Sequence, residues 1–207
     1  MDTAQRIQVE MPPIERLEPV HTKGLRRVFG ILRLAMGWTF LWAFLDKSFA
    51  LGFATGRLDD GSIDFWAKGA AWFNGGSPTK GVFTYALNAG PFQGFYERLG
   101  HVTVTAQGAT ASPPEWINVV YMVSMVLIGL GLITGVMTRL AAAGGIAWMA
   151  IFYTATAIWP ENNPFLDDHI VYAIVLVGLI VANAGRYYGL GKIWQRVSFV
   201  EGRKYLY

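Results

Sequence analysis

Between residues 116 and 138 the chain reads WINVVYMVSMVLIGLGLITGVMT, without one Asp, Glu, Lys, Arg or His. A bilayer's hydrocarbon core is spanned by about 20 predominantly apolar residues in a helix, so this run alone predicts a membrane helix. Three other stretches approach the same length. Residues 28–45 are broken only by Arg33, residues 140–160 carry no charge, and residues 170–184 are shorter but can recruit Asp168 and His169 at one end and Gly185 at the other. The composition agrees: 53% of residues are hydrophobic and 15% charged, against about 25% charged in soluble domains.

The first apolar run starts too late, is too long for a signal-peptide core and leads into FLDKSFALGF with no small-residue cleavage site, so it is expected to remain as a helix. The expected fold is therefore all-α: a polytopic four-helix transmembrane bundle. Residues 1–24 form an N-terminal segment, 25–194 the membrane domain and 195–207 a basic tail. Lys and Arg cluster before the first helix (Arg6, Arg16, Lys23, Arg26, Arg27), at the turn carrying Arg139, and in the tail (Arg186, Lys192, Arg196, Arg203, Lys204), while residues 161–168 have none. The positive-inside rule then places both termini in the cytoplasm of a multi-pass cell-membrane protein. The net charge of +3 reflects this bias. Nucleic acid is not an expected partner, because no basic patch is interleaved with aromatic residues.

Residues 53–115 form the one long insertion, on the outer side. It is too rich in Phe, Trp and Tyr for a disordered linker and is expected to be ordered. Residues 63–74 place Phe65, Trp66, Trp72 and Phe73 on a short helical pattern, residues 83–99 repeat the aromatic and small mixture around Pro91, and HVTVT at 101–105 alternates like a strand. Pro113 and Pro114 suit the start of the next helix. The insertion either anchors in the interface or lids an outward-facing pocket. Small residues four apart, Gly131 with Gly135 and Gly178 with Ala182, suit close helix packing within the bundle, leaving a homo-oligomer open.

Ionisable residues inside or bordering a membrane mark candidate sites. Arg33 lies more than one turn inside its apolar run and needs a partner or a wet niche, for which Asn183 is a candidate. Asp46 and Lys47 end the first helix where Asp167, Asp168 and His169 begin the fourth. One Asp caps a helix readily, but two followed by His go beyond capping. If the two ends are neighbours, Lys47 can pair with one carboxylate while His169 and the other move protons. Asp167, Asp168 and His169 are too close together in sequence to enclose a metal unaided. A bis-histidine haem is disfavoured because His21, His101 and His169 fall in different segments, and the chain has no cysteine for an iron–sulfur cluster or a thiol nucleophile.

The segments RLAMGWTFLWAFLDKSFALGFAT, WFNGGSPTKGVF with GPFQGFY, and PENNPFLDDHIVYAIVLVGLIVANAGRYYGLGKIW together resemble the DoxX family of small four-helix membrane proteins, over residues 25–194. The related DoxD subunit belongs to a thiosulfate:quinone oxidoreductase. The resemblance implies a membrane subunit of a quinone-linked oxidoreductase, with quinone as electron acceptor and a redox partner subunit. The family-like positions are Arg33, Asp46, Lys47, Asn163, Pro164, Asp167, Asp168 and His169. The catalytic role falls on Asp168, His169 and Asp167, and substrate binding on Lys47, Asp46 and Arg33. No residue is assigned to cofactor binding. The rival expectations are a non-catalytic anchor or scaffold for a redox partner and a small-molecule transporter.

Overall fold

The structure, a computed structural model, describes residues 22–89, 91–105, 108–160 and 163–206. The N-terminal segment up to residue 21, with His21, Arg6 and Arg16, and the pair Glu161–Asn162 lie outside the described residues.

The chain is mostly helical. Helix α1 (Lys23–Phe49) starts at Thr22, whose side chain accepts from the Leu25 N–H, and ends at Ala50 in the left-handed conformation. Gly30, Arg33, Met36, Gly37 and Phe40 recur at three- and four-residue spacing and form its buried stripe. In the insertion, α2 (Lys80–Ala89) and α3 (Gln93–Leu99) precede a hairpin of β1 (His101–Thr105) and β2 (Gly108–Ser112), paired antiparallel with His101 opposite Ser112. Then come α4 (Glu115–Thr134), α5 (Thr138–Phe152) with a π-helical turn at Tyr153–Ala157, α6 (Asp168–Val181) and the short α7 (Gly191–Trp194).

Helix α1 packs on α4, α4 on α5, α5 on α6, and α6 back on α1. Met36, Phe40, Met122, Met125, Leu132, Ala142, Met149, Leu176 and Leu179 fill the space between them. At the α1–α4 contact, a Cβ on Gly129 would stand 2.8 Å from the Leu41 backbone nitrogen and one on Gly37 2.9 Å from that of Ile133. These two glycines let the backbones meet, whereas a Cβ on Gly178 would touch only Phe29, at 3.5 Å.

Two helices, α1 and α4, are long and apolar enough to cross a membrane. Only 28% of the most apolar stretch of α1 and 44% of that of α4 is buried, so neither is a wrapped core helix. Their outward faces are apolar too: Val28, Ile31 and Trp38 on α1, Val119, Val120, Val123, Leu127 and Leu130 on α4, and Val171, Ile174, Val177 and Val181 on α6 are all exposed.

The insertion is ordered but differs from the expected pattern. Residues 63–71 are not helical; Trp66 has φ of +62° and only Trp72–Asn74 forms a 3-10 turn. Gly69, left-handed at φ +76°, and Trp66 interrupt any helical run there. The expected strand at 101–105 is present. Its partner β2 was not expected, because GATAS lacks the large alternating residues that mark a strand, and it makes the fold mostly helical instead of all-α. Asn88 of α2 clamps β2, donating to the Ala109 carbonyl at 2.8 Å and accepting from the Ala109 N–H at 3.1 Å. The hairpin, α2 and α3 share a second core of Phe83, Leu87, Tyr96 and Ala111 with Ile117 of α4 and Ala155 of the π turn.

Candidate functional site

The helix array has two unlike ends. At one, Arg33 is fully buried and reaches across from α1 to main-chain carbonyls. Its Nη1 donates to the carbonyls of Leu132 and of Ile133 (3.0 Å), and its Nη2 to those of Tyr187 (2.8 Å) and Tyr188. Leu132 and Ile133 lie in the last turn of α4, where carbonyls lack helical partners and the helix dipole favours a cation. Gly135, left-handed at φ +79°, allows the approach, since a Cβ there would lie 3.2 Å from Nη1. Asn183 is not the partner; it takes the left-handed position after α6. The guanidinium is occupied by the fold, which ties α1 to α4 and to the turn after α6. This geometry suits a structural clamp better than the substrate-binding role expected for Arg33.

The other end holds Asp46, Lys47, Asp167, Asp168 and His169. The Asp46 carboxylate is buried and accepts from two main-chain N–H groups, Phe53 at 3.1 Å and Ala54 at 2.9 Å. It folds the chain back after α1. Lys47 is half-buried beside it, and among the described residues no ion pair joins Lys47 to Asp167 or Asp168. The Asp46 carboxylate acts on its ammonium through space.

Asp167 caps α6, its Oδ1 accepting from the Ile170 N–H at 3.1 Å. Its Oδ2 lies 2.5 Å from Nδ1 of His169. One carboxylate thus fixes both the helix start and the imidazole. With Nδ1–H donating to Asp167, a neutral His169 presents Nε2 as a proton acceptor, a tautomer assigned from its partner. The side chain of His169 is 29% exposed. Asp168 is exposed in the first turn. The preceding loop is held by Asn163, whose Oδ1 accepts from the N–H groups of Phe165 (3.1 Å) and Leu166 (2.9 Å), and by the Tyr153 hydroxyl, which donates to the Phe165 carbonyl at 2.9 Å.

Aromatic residues connect this dyad to the interior. His169 packs against Phe152 at 5.7 Å between ring centroids, Phe152 against Trp148 at 5.6 Å and Tyr121 at 6.1 Å, and Tyr121 edge-on against Trp148 at 5.2 Å. Tyr121 also lies within electrostatic reach of Asp46. Beyond Trp148 opens a cavity of about 520 Å³, walled by Phe83, Phe95, Tyr96, Trp116, Val120 and Ile151, with Thr154 at its side. The insertion supplies one wall and α4 with α5 the other. Burial pushes the Tyr96 phenol up, partly offset by the Thr154 hydroxyl.

A third feature fastens the insertion to α4. Asn118 Oδ1 accepts from the Thr79 hydroxyl at 2.7 Å and the Ser77 hydroxyl at 3.2 Å, while Glu115 accepts from Asn118 (2.9 Å) and from the Trp72 indole (2.8 Å). Tyr121, Phe152 and Tyr96 were not among the expected site residues. Asn118 and Tyr121 left a trace in the sequence, as polar-tipped residues three apart on the buried face of α4. Among the described residues, no group of three or more His, Cys, Asp or Glu is placed to hold a metal ion.

The chain matches no family model, no curated protein and no solved structure.

Proposed function

We propose that this chain is an integral membrane subunit of DoxX type, a four-helix transmembrane bundle in the cell membrane with both termini cytoplasmic, serving a quinone-linked oxidoreductase. Membrane residence rests on the exposed apolar faces of α1, α4 and α6. Soluble monomers rarely expose contiguous apolar patches beyond a few hundred Å², and lipid is the solvent that suits such faces.

The observation that carries the redox reading is the His169–Asp167 dyad, set against Phe152 at the end of an aromatic path to an apolar cavity. A flat, greasy molecule with a polar head suits that combination of walls. In a thiosulfate:quinone reaction, two thiosulfate ions joined through a new S–S bond release two electrons, and quinone takes these with two protons to become quinol. His169 Nε2 would relay those protons, with Asp167 holding the ring and stabilising the imidazolium, and exposed Asp168 passing protons to and from water. Lys47, with no carboxylate in salt-bridge contact among the described residues, would attract the anionic donor.

A scaffolding role for a redox partner subunit is favoured by a different observation: Asp46 and Asp167 both spend hydrogen bonds on main-chain N–H groups, as structural caps do. The test is thiosulfate-dependent quinone reduction by the detergent-purified protein, comparing wild type with His169→Gln, Asp168→Asn and Lys47→Met at equal folded amounts. Loss of a general acid or base typically costs about 10²–10⁴ in rate, so His169→Gln should fall by that much and Lys47→Met should raise KM for the donor. No turnover in wild type, with or without added membrane extract, would sink the catalytic reading and leave the scaffold.

A further inference from the structure

At the Arg33 end, Lys23, Arg26 and Arg27 from the first turns of α1 face Arg186 and Lys192 from the turn after α6 and from α7. With Tyr187 and Tyr188 they enclose a pocket of about 320 Å³, and none of the seven described residues that line it is acidic. We propose that this pocket binds a phosphate-bearing anion, presented by an acidic phospholipid headgroup or free in solution.

The backbone that brings the two groups of cations together is fixed by the fold. Arg33 holds the carbonyls of Tyr187 and Tyr188. Gly30 leaves room for the Tyr188 ring, which an added Cβ would meet at 2.4 Å. Those two contacts fix the turn against α1, and the fixed turn carries Arg186 and Lys192 to the three cations of α1. Lys23, Arg27, Arg186 and Lys192 put four like charges around one space, where they repel one another, and an anion in their midst relieves that repulsion. Guanidinium groups match phosphate with paired donors, and ammonium groups add point charges.

The surroundings favour the lipid as the source. Leu25, Val28 and Ile31 on α1, and Tyr188, Leu190 and Ile193 beside the turn, are exposed apolar side chains bordering the basic pocket. A headgroup phosphate among the cations would lay its acyl chains along these residues. Basic pockets at the membrane-facing ends of helices are recognised lipid headgroup sites. Only this choice of source rests on the membrane reading; the phosphate chemistry does not.

The experiment follows thermal unfolding of the full-length protein in neutral detergent by tryptophan fluorescence, titrated with dioctanoyl phosphatidylglycerol, dioctanoyl phosphatidylcholine or inorganic phosphate. Phosphatidylglycerol should raise Tm and phosphatidylcholine should not. The double variant Lys23→Gln/Arg27→Gln should weaken the apparent affinity at least about tenfold, the single variant Lys192→Gln less, and the remote exposed control Lys80→Gln not at all. The single variant, on a different element, keeps the test alive if the double variant folds poorly. A Tm rise with inorganic phosphate that the same variants abolish supports the site and assigns it a soluble source. Equal shifts with both lipids and none with phosphate, or equal loss in Lys80→Gln, would overturn the proposal.

Discussion

The two ends of the helix array hold buried or half-buried charge in opposite ways. At the Arg33 end a cation is buried completely, and the carbonyls of four residues surround it. At the Asp46 end Asp46 and Asp167 are tied to N–H groups, but among the described residues Lys47 keeps a cation without a salt-bridged carboxylate and His169 Nε2 has no hydrogen-bond partner, next to an aromatic path. A charge whose terminal nitrogens are all spent on main-chain carbonyls fixes geometry, and a less engaged one is available to a ligand. The first end reads as architecture, and the second is where the proposed chemistry would have to lie.

The most severe way to break it is Arg33→Met. The substitution keeps the stem and removes every donor, stranding the carbonyls of Leu132, Ile133, Tyr187 and Tyr188. Each buried acceptor left unpaired costs about 1–3 kcal/mol, so a loss of at least about 3 kcal/mol is expected in urea or thermal unfolding in detergent. Arg33→Lys should recover only part, because one ammonium cannot reproduce the fork. If Arg33→Met unfolds within a degree of wild type, the clamp is not what holds that end. The same variant should also weaken phosphatidylglycerol binding, since it releases the turn that carries Arg186 and Lys192.

Next in size comes Gly129→Leu, at mid-array. The added side chain meets the Leu41 backbone, which cannot swing aside as a side chain tip can. Overpacking of this kind costs about 1–3 kcal/mol, and it should lower Tm without selecting either end. Gly178→Ala, which meets only the Phe29 ring at van der Waals distance, is the matched control and should be close to neutral. Equal losses in both would remove the special status of the α1–α4 contact.

How much of this was legible in the sequence depends on the kind of interaction. The four apolar runs correspond to α1, α4, α5 and α6, because a charge-free helix writes itself directly into composition. Their ends were less legible: the second run continues to Thr138 in sequence, but α4 stops at Thr134 because Gly135 takes the left-handed position. Asp167 and His169 stood out by residue type, and their hydrogen bond follows from the local geometry of a helix start. The partners of Arg33 could not be found by looking for complementary side chains, which pointed to Asn183, because carbonyls carry no sequence mark. Tyr121 and Phe152 hid inside apolar runs, where an aromatic residue reads as ordinary core.

Asp46→Asn sharpens the comparison from the chemical end. Asparagine keeps one acceptor oxygen, so one of the two N–H groups of Phe53 and Ala54 loses its carboxylate partner, at about 1–2 kcal/mol. The variant also removes the negative charge beside Lys47. If Lys47 binds an anionic donor, stability should fall while affinity for thiosulfate rises, a pair of changes that a purely structural Asp46 would not produce. A fall in both would mean that the turn at residues 53–54 shapes the site more than the charge does.

The smallest expected effect concerns Tyr96, whose ring packs edge-on against Phe83 and lines the apolar cavity. Burial raises its pKa above the unfolded value of 10.0, so between the unfolded and folded pKa values the unfolded state has released a proton that the folded state keeps. Stability contributed by the neutral phenol is therefore intact below pH 10 and declines as pH rises through that window. Tyr96→Phe has no proton to lose and should show a shallower alkaline decline, with little change at pH 7 beyond loss of the contact with Thr154. Unfolding followed between pH 8 and about 11.5, a range that brackets the ordinary tyrosine value of about 10, checks the slope. If wild type and variant decline in parallel, the cavity wall opens to water more freely than its packing implies, and the insertion covers the cavity less tightly than Arg33 clamps the opposite end.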